Sequence, residues 1–304
     1  MSSPYGKAVV VMGPTLAGKM PMTEPELDAL LQSSEIDYET VVAAEDAHTA
    51  AAARKAVSGG CGYVVCVGDD WTLHQVINGI MGESGPLNPG LVLAVLPTAA
   101  GSDFLRTFGL SSAPQDAARR LASEPYFGID VGRITWAPGT SPGYTYFVNM
   151  AQAGVWGEVA RRRARLMWLG RTGHLLAFWA ALAGFGTTSG AVKVDRRSYG
   201  GPIANVVVAN GQFFRDGVRL AVKAHPGDGK FDVLVQKGGK RDFIETLSKS
   251  FKTEHLPSSK IKEFLGARAE IASEKPLPVE TDGRFAGHTP AIFEIVPQAC
   301  RLKI

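Results

Sequence analysis

Tyr63-Val64-Val65-Cys66-Val67-Gly68-Asp69-Asp70-Trp71-Thr72-Leu73-His74 is the stretch on which the fold turns. Apolar residues from Tyr63 to Val67, with no polar alternation, predict a strand buried on both faces, as in parallel sheets covered by helices. Gly68 ends the run, an acidic pair follows, and helical spacing begins near Thr72 and covers Leu73–Met81. A strand, a tight turn and a helix place Asp69, Asp70 and Thr72 at the strand's carboxyl end, where open α/β sheets bind ligands. Capping the helix is the plainer role for Asp70 or Thr72, and at this turn both roles are open.

The same alternation runs through the first third of the chain. Ala8–Met12, Tyr38–Ala43 and Leu91–Leu96 read as further strands. Pro25–Leu31 reads as a helix behind a cap at Thr23, with Glu24 and Glu26 at its positive end; Ala47–Val57 and Ala117–Ala122 read as two more. Together they predict a three-layer α/β domain with a parallel sheet over residues 1–133. Beyond Asp130 the rhythm changes. Tyr144–Asn149, Ala191–Asp195, Asn205–Ala209, Phe231–Gln236, Ala269–Ala272, Leu277–Glu280 and Ala291–Val296 are short strands bounded by turn residues. They predict a β-sandwich over residues 134–304, interrupted by helical patches at Glu158–Leu182 and Asp242–Phe251.

Composition narrows the class. The chain has 304 residues, 45% hydrophobic and 20% charged, which excludes a disordered or fibrous protein. A net charge of +3 is too weak to argue for nucleic acid as the main partner. Cys61, Cys66 and Cys300 form no metal-ligand spacing and suit a reducing cytoplasm. The N-terminal stretch has no basic leader, and the longest apolar run, Leu175 to Gly186, falls short of the ~20 residues a span needs, so no membrane crossing is expected.

Further loops carry candidate chemistry. Gly13 to Met20 is one residue short of the phosphate-cradling G-x-x-x-x-G-K-S/T; Met20 lacks the hydroxyl and Pro21 a backbone donor, so a glycine-rich turn is the better reading. Pro97–Phe104 brings Asp103 to the end of a neighbouring strand, and Gly128–Arg133 brings Asp130. Three carboxylates at related sheet edges suit a divalent metal held directly or through water, although each alone is more often a cap or turn residue. Arg161, Arg162, Arg163 and Arg165 precede Leu166, Met167, Trp168 and Leu169, a composition that suits an interfacial helix on an anionic bilayer or a solvated face with a buried apolar side. Leu175–Ala183 reads as core or as an acyl-chain groove. His74, His174 and His225 stand in no ligand spacing.

In their order these loops resemble the diacylglycerol kinase catalytic-domain family, the lipid kinases that include sphingosine and ceramide kinases. Gly68–His74 is similar to that family's G-G-D-G-T-L-H, and Pro97–Arg106 to P-x-G-T-G-N-D-F-x-R. Asn210–Gly217 is similar to N-G-x-x-x-G-G-G, Ala224–Val233 to A-x-P-D-D-G-x-F-D-V, and Pro276–Pro290 to the region carrying D-G-E. The resemblance implies an α/β domain followed by a β-sandwich with the active site in the cleft between them, and phosphoryl transfer from ATP with Mg²⁺ to a lipid hydroxyl. It places nucleotide at Lys19, Gly68, Asp69, Trp71, Thr72, Gly101 and Ser102, and Mg²⁺ among Asp70, Asp103 and Asp130. It makes Asp282, with Asp70, the catalytic acid–base candidate, and Asp228, with the carbonyls of His225 and Lys230, a structural metal loop. A carboxylate near the nucleophilic hydroxyl accepts its proton in such chemistry.

The departures from the pattern fall mainly on the nucleotide cradle. Glycines of the turn have become Asp69 and Trp71, G-T-G-N-D has become Ala99-Ala100-Gly101-Ser102-Asp103, the triple glycine is Arg215-Asp216-Gly217, and the D-G-E acid is Arg284. Glycines in a phosphate turn allow close backbone approach, and Asp69 adds a negative charge where polyphosphate should come. Two expectations follow: a lipid kinase with an altered nucleotide pocket, or a repurposed fold, either a pseudokinase binding a hydrophobic small molecule or an enzyme of different chemistry. A homodimer and peripheral membrane contact accompany either.

Overall fold

A computed structural model describes residues 5–304 except 16–18, 33, 35, 98–101, 138–142, 185 and 216. The chain divides into two units, residues 1–131 with 296–304, and residues 132–295.

In the first unit β1 (Ala8–Met12), α1 (Glu24–Gln32), β2 (Tyr38–Val42), α2 (Asp46–Ser58), β3 (Tyr63–Gly68), α3 (Asp70–Ile80), β4 (Val92–Pro97), α4 (Asp103–Thr107) and α5 (Pro114–Leu121) follow one another. The strands lie in the order β2-β1-β3-β4, all parallel. Both faces are covered, which is why the strands read as unbroken apolar runs. Val10, Val65, Val67 and Leu96 pack with Leu27 and Leu31 of α1 and Leu121 of α5 in one core. Helix α1 starts as its sequence predicts: the Glu26 carboxylate accepts from Thr23 N (2.7 Å) and its hydroxyl (2.8 Å), while Thr23 Oγ1 accepts from Glu26 N (3.4 Å).

The second unit takes up the chain within β5 (Tyr126–Trp136) and continues through β6 (Tyr144–Phe147), β7 (Met150–Gly154), α6 (Val155–Arg165), α7 (Gly170–Ala183), β8 (Thr188–Val194), β9 (Arg197–Ile203), β10 (Asn205–Ala209), β11 (Phe231–Gln236), α8 (Lys240–Ser250), β12 (Ile261–Gly266), β13 (Arg268–Ser273), β14 (Pro278–Thr281), β15 (Arg284–His288) and β16 (Ala291–Lys303). One antiparallel sheet has the order β12-β11-β10-β7-β14-β15. Along β10, Val206 and Val208 enter the core shared with Val192, Ile271 and Phe293 of the other strands, while Val207 and Ala209 turn to Trp156 and Val159 of α6 and Phe243 of α8. A strand buried on both faces again has no polar alternation. The α/β first unit and sandwich-like second unit are the predicted fold class.

Three local expectations change. The helical patch Glu158–Leu182 is two helices, separated by a 3₁₀ turn at Met167–Leu169 and by Gly170 at φ 56°. Asp130 lies inside strand β5, fully buried, rather than in a loop at a sheet edge. The chain's last residues return to the first unit, where Arg301 and Leu302 pair in parallel with Val92 and Leu93 of β4. Composition alone gives no sign of that return, because the register of a terminal strand is chosen by its partner.

Candidate functional site

The first unit gathers its candidates at the carboxyl ends of β3 and β4, which are neighbours in the sheet. Gly68 closes β3, and a Cβ there would overlap the Thr72 hydroxyl. That hydroxyl donates to the Pro14 carbonyl (3.0 Å), tying the β3 turn to the loop after β1. Asp69 is the N-cap of α3; its Oδ1 accepts from the amides of Trp71 and Thr72, each 3.1 Å away. The capping role expected of Asp70 or Thr72 thus belongs to Asp69, with the helix starting at Asp70. Trp71 is buried and stacks on His74 of its own helix, ring centroids 4.6 Å apart at 16°. The indole thus packs on its own helix.

Asp70 reaches across to the second loop. Its carboxylate takes the Ser102 hydroxyl and the amides of Asp103 (2.8 Å) and Phe104 (3.4 Å). Ser102 also caps α4 by accepting from Leu105 N (3.1 Å), and Asp103 pairs with Arg106 (2.5 Å). Lys19 is exposed and its carbonyl accepts from Thr15 N (2.8 Å). Gly101 lies outside the described residues. Asp130 accepts from Gln298 N (2.8 Å). Negative charge concentrates under the turn: burial first, then Asp69 and Asp70, push the Cys66 thiol up.

The second unit builds its candidates around the turn between β14 and β15. Asp282 has a left-handed backbone, φ 44°, which aspartate tolerates better than most residues. Its carboxylate accepts from the amides of Val148 (3.0 Å), Asn149 (3.0 Å) and Met150 (3.2 Å). The Asn149 carbonyl in turn accepts from Asn210 N (2.9 Å) and Gly211 N (2.7 Å), and Asn210 Nδ2 donates to Val148 O (2.7 Å). Two stretches far apart in sequence, Asn210-Gly211 and Asp282-Gly283, are therefore stitched to one turn at 148–149.

Asn149 and Glu280 are residues that sequence reasoning passed over. Glu280 is fully buried on β14; it accepts from Gly283 N (2.8 Å) and from Gln152 Nε2 (3.1 Å). Gln152 accepts from Asn205 Nδ2 (3.0 Å), and Asn205 accepts from Trp156 N (3.3 Å) at the start of α6. Burial pushes the Glu280 carboxyl up to about 7, against the opposing pull of Arg215. An acid inside the apolar strand Pro278-Val279-Glu280-Thr281 was the available signal. Arg215 keeps a left-handed backbone, φ 43°, where the family pattern has glycine. Its guanidinium lies 5.0 Å from the ring centroids of Trp156 and Phe214 and 3.0 Å from His174 Nε2.

Asp228 is exposed, and its Oδ1 accepts from Lys230 N (2.9 Å); the His225 carbonyl already accepts from Gly227 N (2.7 Å) and Asp228 N (3.3 Å). Nearby Asp232 is pushed up to about 6 by burial and then by Asp228, with Lys223 opposing. Among the described residues no group of three His, Cys, Asp or Glu side chains is arranged to hold a metal ion.

Residues 7–134 match the diacylglycerol kinase catalytic domain, and residues 149–304 match the YegS C-terminal NAD kinase beta sandwich-like domain. The chain belongs to the diacylglycerol kinase and YegS-like lipid kinase family. Among its relatives, the Bacillus subtilis (strain 168) protein named diacylglycerol kinase is 23% identical over 238 residues, 76% of this chain and 73% of that one. The Shewanella frigidimarina protein named probable lipid kinase YegS-like is 26% identical over 247 residues, covering 81% and 77%. A crystal structure of a diacylglycerol kinase from Bacillus anthracis str. Sterne shares the fold, with a TM-score of 0.70 at 18% identity over 98% of this chain and 96% of that one.

Against this family pattern, the donor set at the β3 turn does not fit a bound triphosphate. The two α3 amides that a phosphate would use are taken by Asp69. A phosphate charge ~4 Å from that carboxylate meets a repulsion of about 4 kcal/mol at an effective dielectric near 20, more than the ~1 kcal/mol a cap contributes.

Proposed function

We propose that this chain transfers a phosphoryl group to a lipid hydroxyl, on a diacylglycerol- or sphingoid-like acceptor. The observation that supports the reading is the reach of Asp70 to Ser102, Asp103 and Phe104, which fixes two family loops at the carboxyl ends of adjacent parallel strands. ATP with Mg²⁺ is the donor that family membership suggests, although the β3 turn, with its first α3 amides taken by Asp69, does not supply the phosphate cradle. Phosphoryl transfer is mainly positioning and charge neutralisation, so loops fixed by a shared carboxylate are the part of the machinery this unit supplies. In the second unit, Asp282 holds the β6–β7 turn and is the acid proposed for the acceptor side. Unpaired thiols at Cys61, Cys66 and Cys300 support a reducing, cytoplasmic setting.

A second reading is favoured by the Asp69 cap and by Trp71 stacked on His74: a repurposed fold that binds a hydrophobic small molecule without phosphoryl transfer. The test is incubation of the full chain with γ-labelled ATP, Mg²⁺ and mixed micelles carrying a panel of lipid alcohols. Labelled phospholipid supports the kinase. No labelled lipid, together with no nucleotide-dependent rise in melting temperature, leaves the second reading.

A further inference from the structure

Helix α6 lies on the sheet above a row of polar side chains that water does not reach. Gln152 of β7, Asn205 of β10 and Glu280 of β14 are all fully buried, and Gln152 and Glu280 stand opposite each other in the antiparallel register. They form one chain of hydrogen bonds. The Trp156 amide, at the start of α6, donates to Asn205 Oδ1 (3.3 Å), and Asn205 Nδ2 donates to Gln152 Oε1 (3.0 Å). Gln152 Nε2 donates to Glu280 Oε1 (3.1 Å), and the Gly283 amide donates to Glu280 Oε2 (2.8 Å). A buried polar group without a partner is costly, so every member of such a row has to be satisfied.

Both ends of the row are backbone donors, and this fixes its polarity. A carboxamide can exchange its oxygen and nitrogen by turning over, but a main-chain N–H cannot become an acceptor. Counting from Trp156 N, Asn205 has to turn its oxygen to α6 and its nitrogen to β7, and Gln152 then turns its nitrogen to β14. The side chain at 280 therefore meets a donor on each side, Gln152 Nε2 and Gly283 N. A carboxyl group satisfies both. Burial pushes it up to about 7, with Arg215 opposing and Asp282 adding to the rise, and protonated or ionised each of its oxygens keeps a lone pair. A carboxamide there would set its NH₂ against one of the two donors, and no turning-over along the row removes the conflict. Gly283 directly follows Asp282, whose left-handed backbone (φ 44°) sends its carboxylate to the amides of Val148, Asn149 and Met150. The bond from Gly283 to Glu280 closes that turn.

We propose that Glu280 is the positioning residue of Asp282: accepting from Gln152 on one side and Gly283 on the other, it holds the turn that keeps the Asp282 carboxylate on its three amides. The proposal rests, for its catalytic purpose, on the reading of Asp282 as the acceptor-side acid, but its test does not need activity. Glu280→Gln sets donor against donor. Glu280→Gln combined with Gln152→Glu has the same atoms as the parent and moves the two-way acceptor one place along the row. It then lies between Asn205 Nδ2 and the new carboxamide, whose oxygen takes Gly283 N. Hydrogen exchange of peptides spanning residues 148–150 reads the Asp282 anchor, and urea unfolding at pH 5, where the parent carboxyl is protonated in the fold, reads the row. The single variant is expected to exchange there about tenfold faster and to unfold at lower urea, and the double variant to recover most of both. If the single variant does not fold, recovery of folding by the double variant is the supporting result. In lipid phosphorylation the single variant is expected to lose about tenfold in kcat with KM changed less than about twofold, and the double variant to regain it. Unchanged exchange at 148–150 in the single variant, or a double variant no better than the single one, would overturn the proposal. Lost and regained protection without phosphorylation of any lipid by the parent leaves the positioning role standing and removes the kinase reading. Equal phosphorylation by all three proteins does the reverse.

Discussion

Asp69 Oδ1 accepts from the Thr72 amide at 3.1 Å, while the Thr72 hydroxyl donates to the Pro14 carbonyl at 3.0 Å. A residue that sequence alone presents as an added anion in a phosphate turn is the cap of the helix that follows. The same carboxylate that stabilises α3 therefore occupies the amides a phosphate would seek.

Replacing Asp69 separates these two effects. Glycine at an N-cap costs only a few tenths of a kcal/mol, whereas alanine costs about 1 kcal/mol. Asp69→Gly is expected to leave the urea midpoint nearly unchanged and to raise affinity for ADP with Mg²⁺ at least tenfold by calorimetry. Equal affinity in the variant and the parent would show that the carboxylate does not compete.

Asp282 anchors three amides of the 148–150 segment from a left-handed backbone position. Asp282→Ala removes a charged acceptor from buried N–H groups and strains φ, for a loss of about 3–5 kcal/mol. Asp282→Asn keeps an acceptor and tolerates the backbone, so its loss should be smaller. Equilibrium urea unfolding orders the two; equal midpoints would remove the anchoring role.

Glu280 gives stability a pH dependence of known sign. Its carboxyl is raised from 4.5 to about 7 by burial, so the folded chain binds more protons than the unfolded one between those values. The associated stability is full below pH 4.5 and is lost as pH rises through 7. Glu280→Gln should therefore gain stability relative to the parent as pH goes from 5 to 7.5. Parallel unfolding curves for the two proteins across that range would count against it.

Gly157 lets α6 lie on β14. A Cβ there would overlap the Pro278 carbonyl, which is backbone and cannot rotate away. Alanine improves helix propensity by about 1 kcal/mol, but overpacking of this kind costs about 1–3 kcal/mol. Because the obstacle is main chain, the upper part of that range applies, and Gly157→Ala is expected to lower the melting temperature. A rise would mean that α6 shifts freely over the strand.

Sequence alone determined the alternating parallel sheet, the change of architecture near residue 130, and the family loops that carry Asp70, Asp103 and Asp282, because hydrophobic period and turn chemistry are local properties. It did not decide what those acids do. Asp70 bonds across to residues 102–104, Asp130 pairs with the backbone of Gln298, and Glu280 joins Gln152 and Asn205, all partners distant in the chain. Strand register and sheet order chose them. Tertiary structure also decided which side of α7 is covered, at Ala177 and Ala181 rather than at Leu175 and Trp179, since burial is a relation between segments that no single segment encodes.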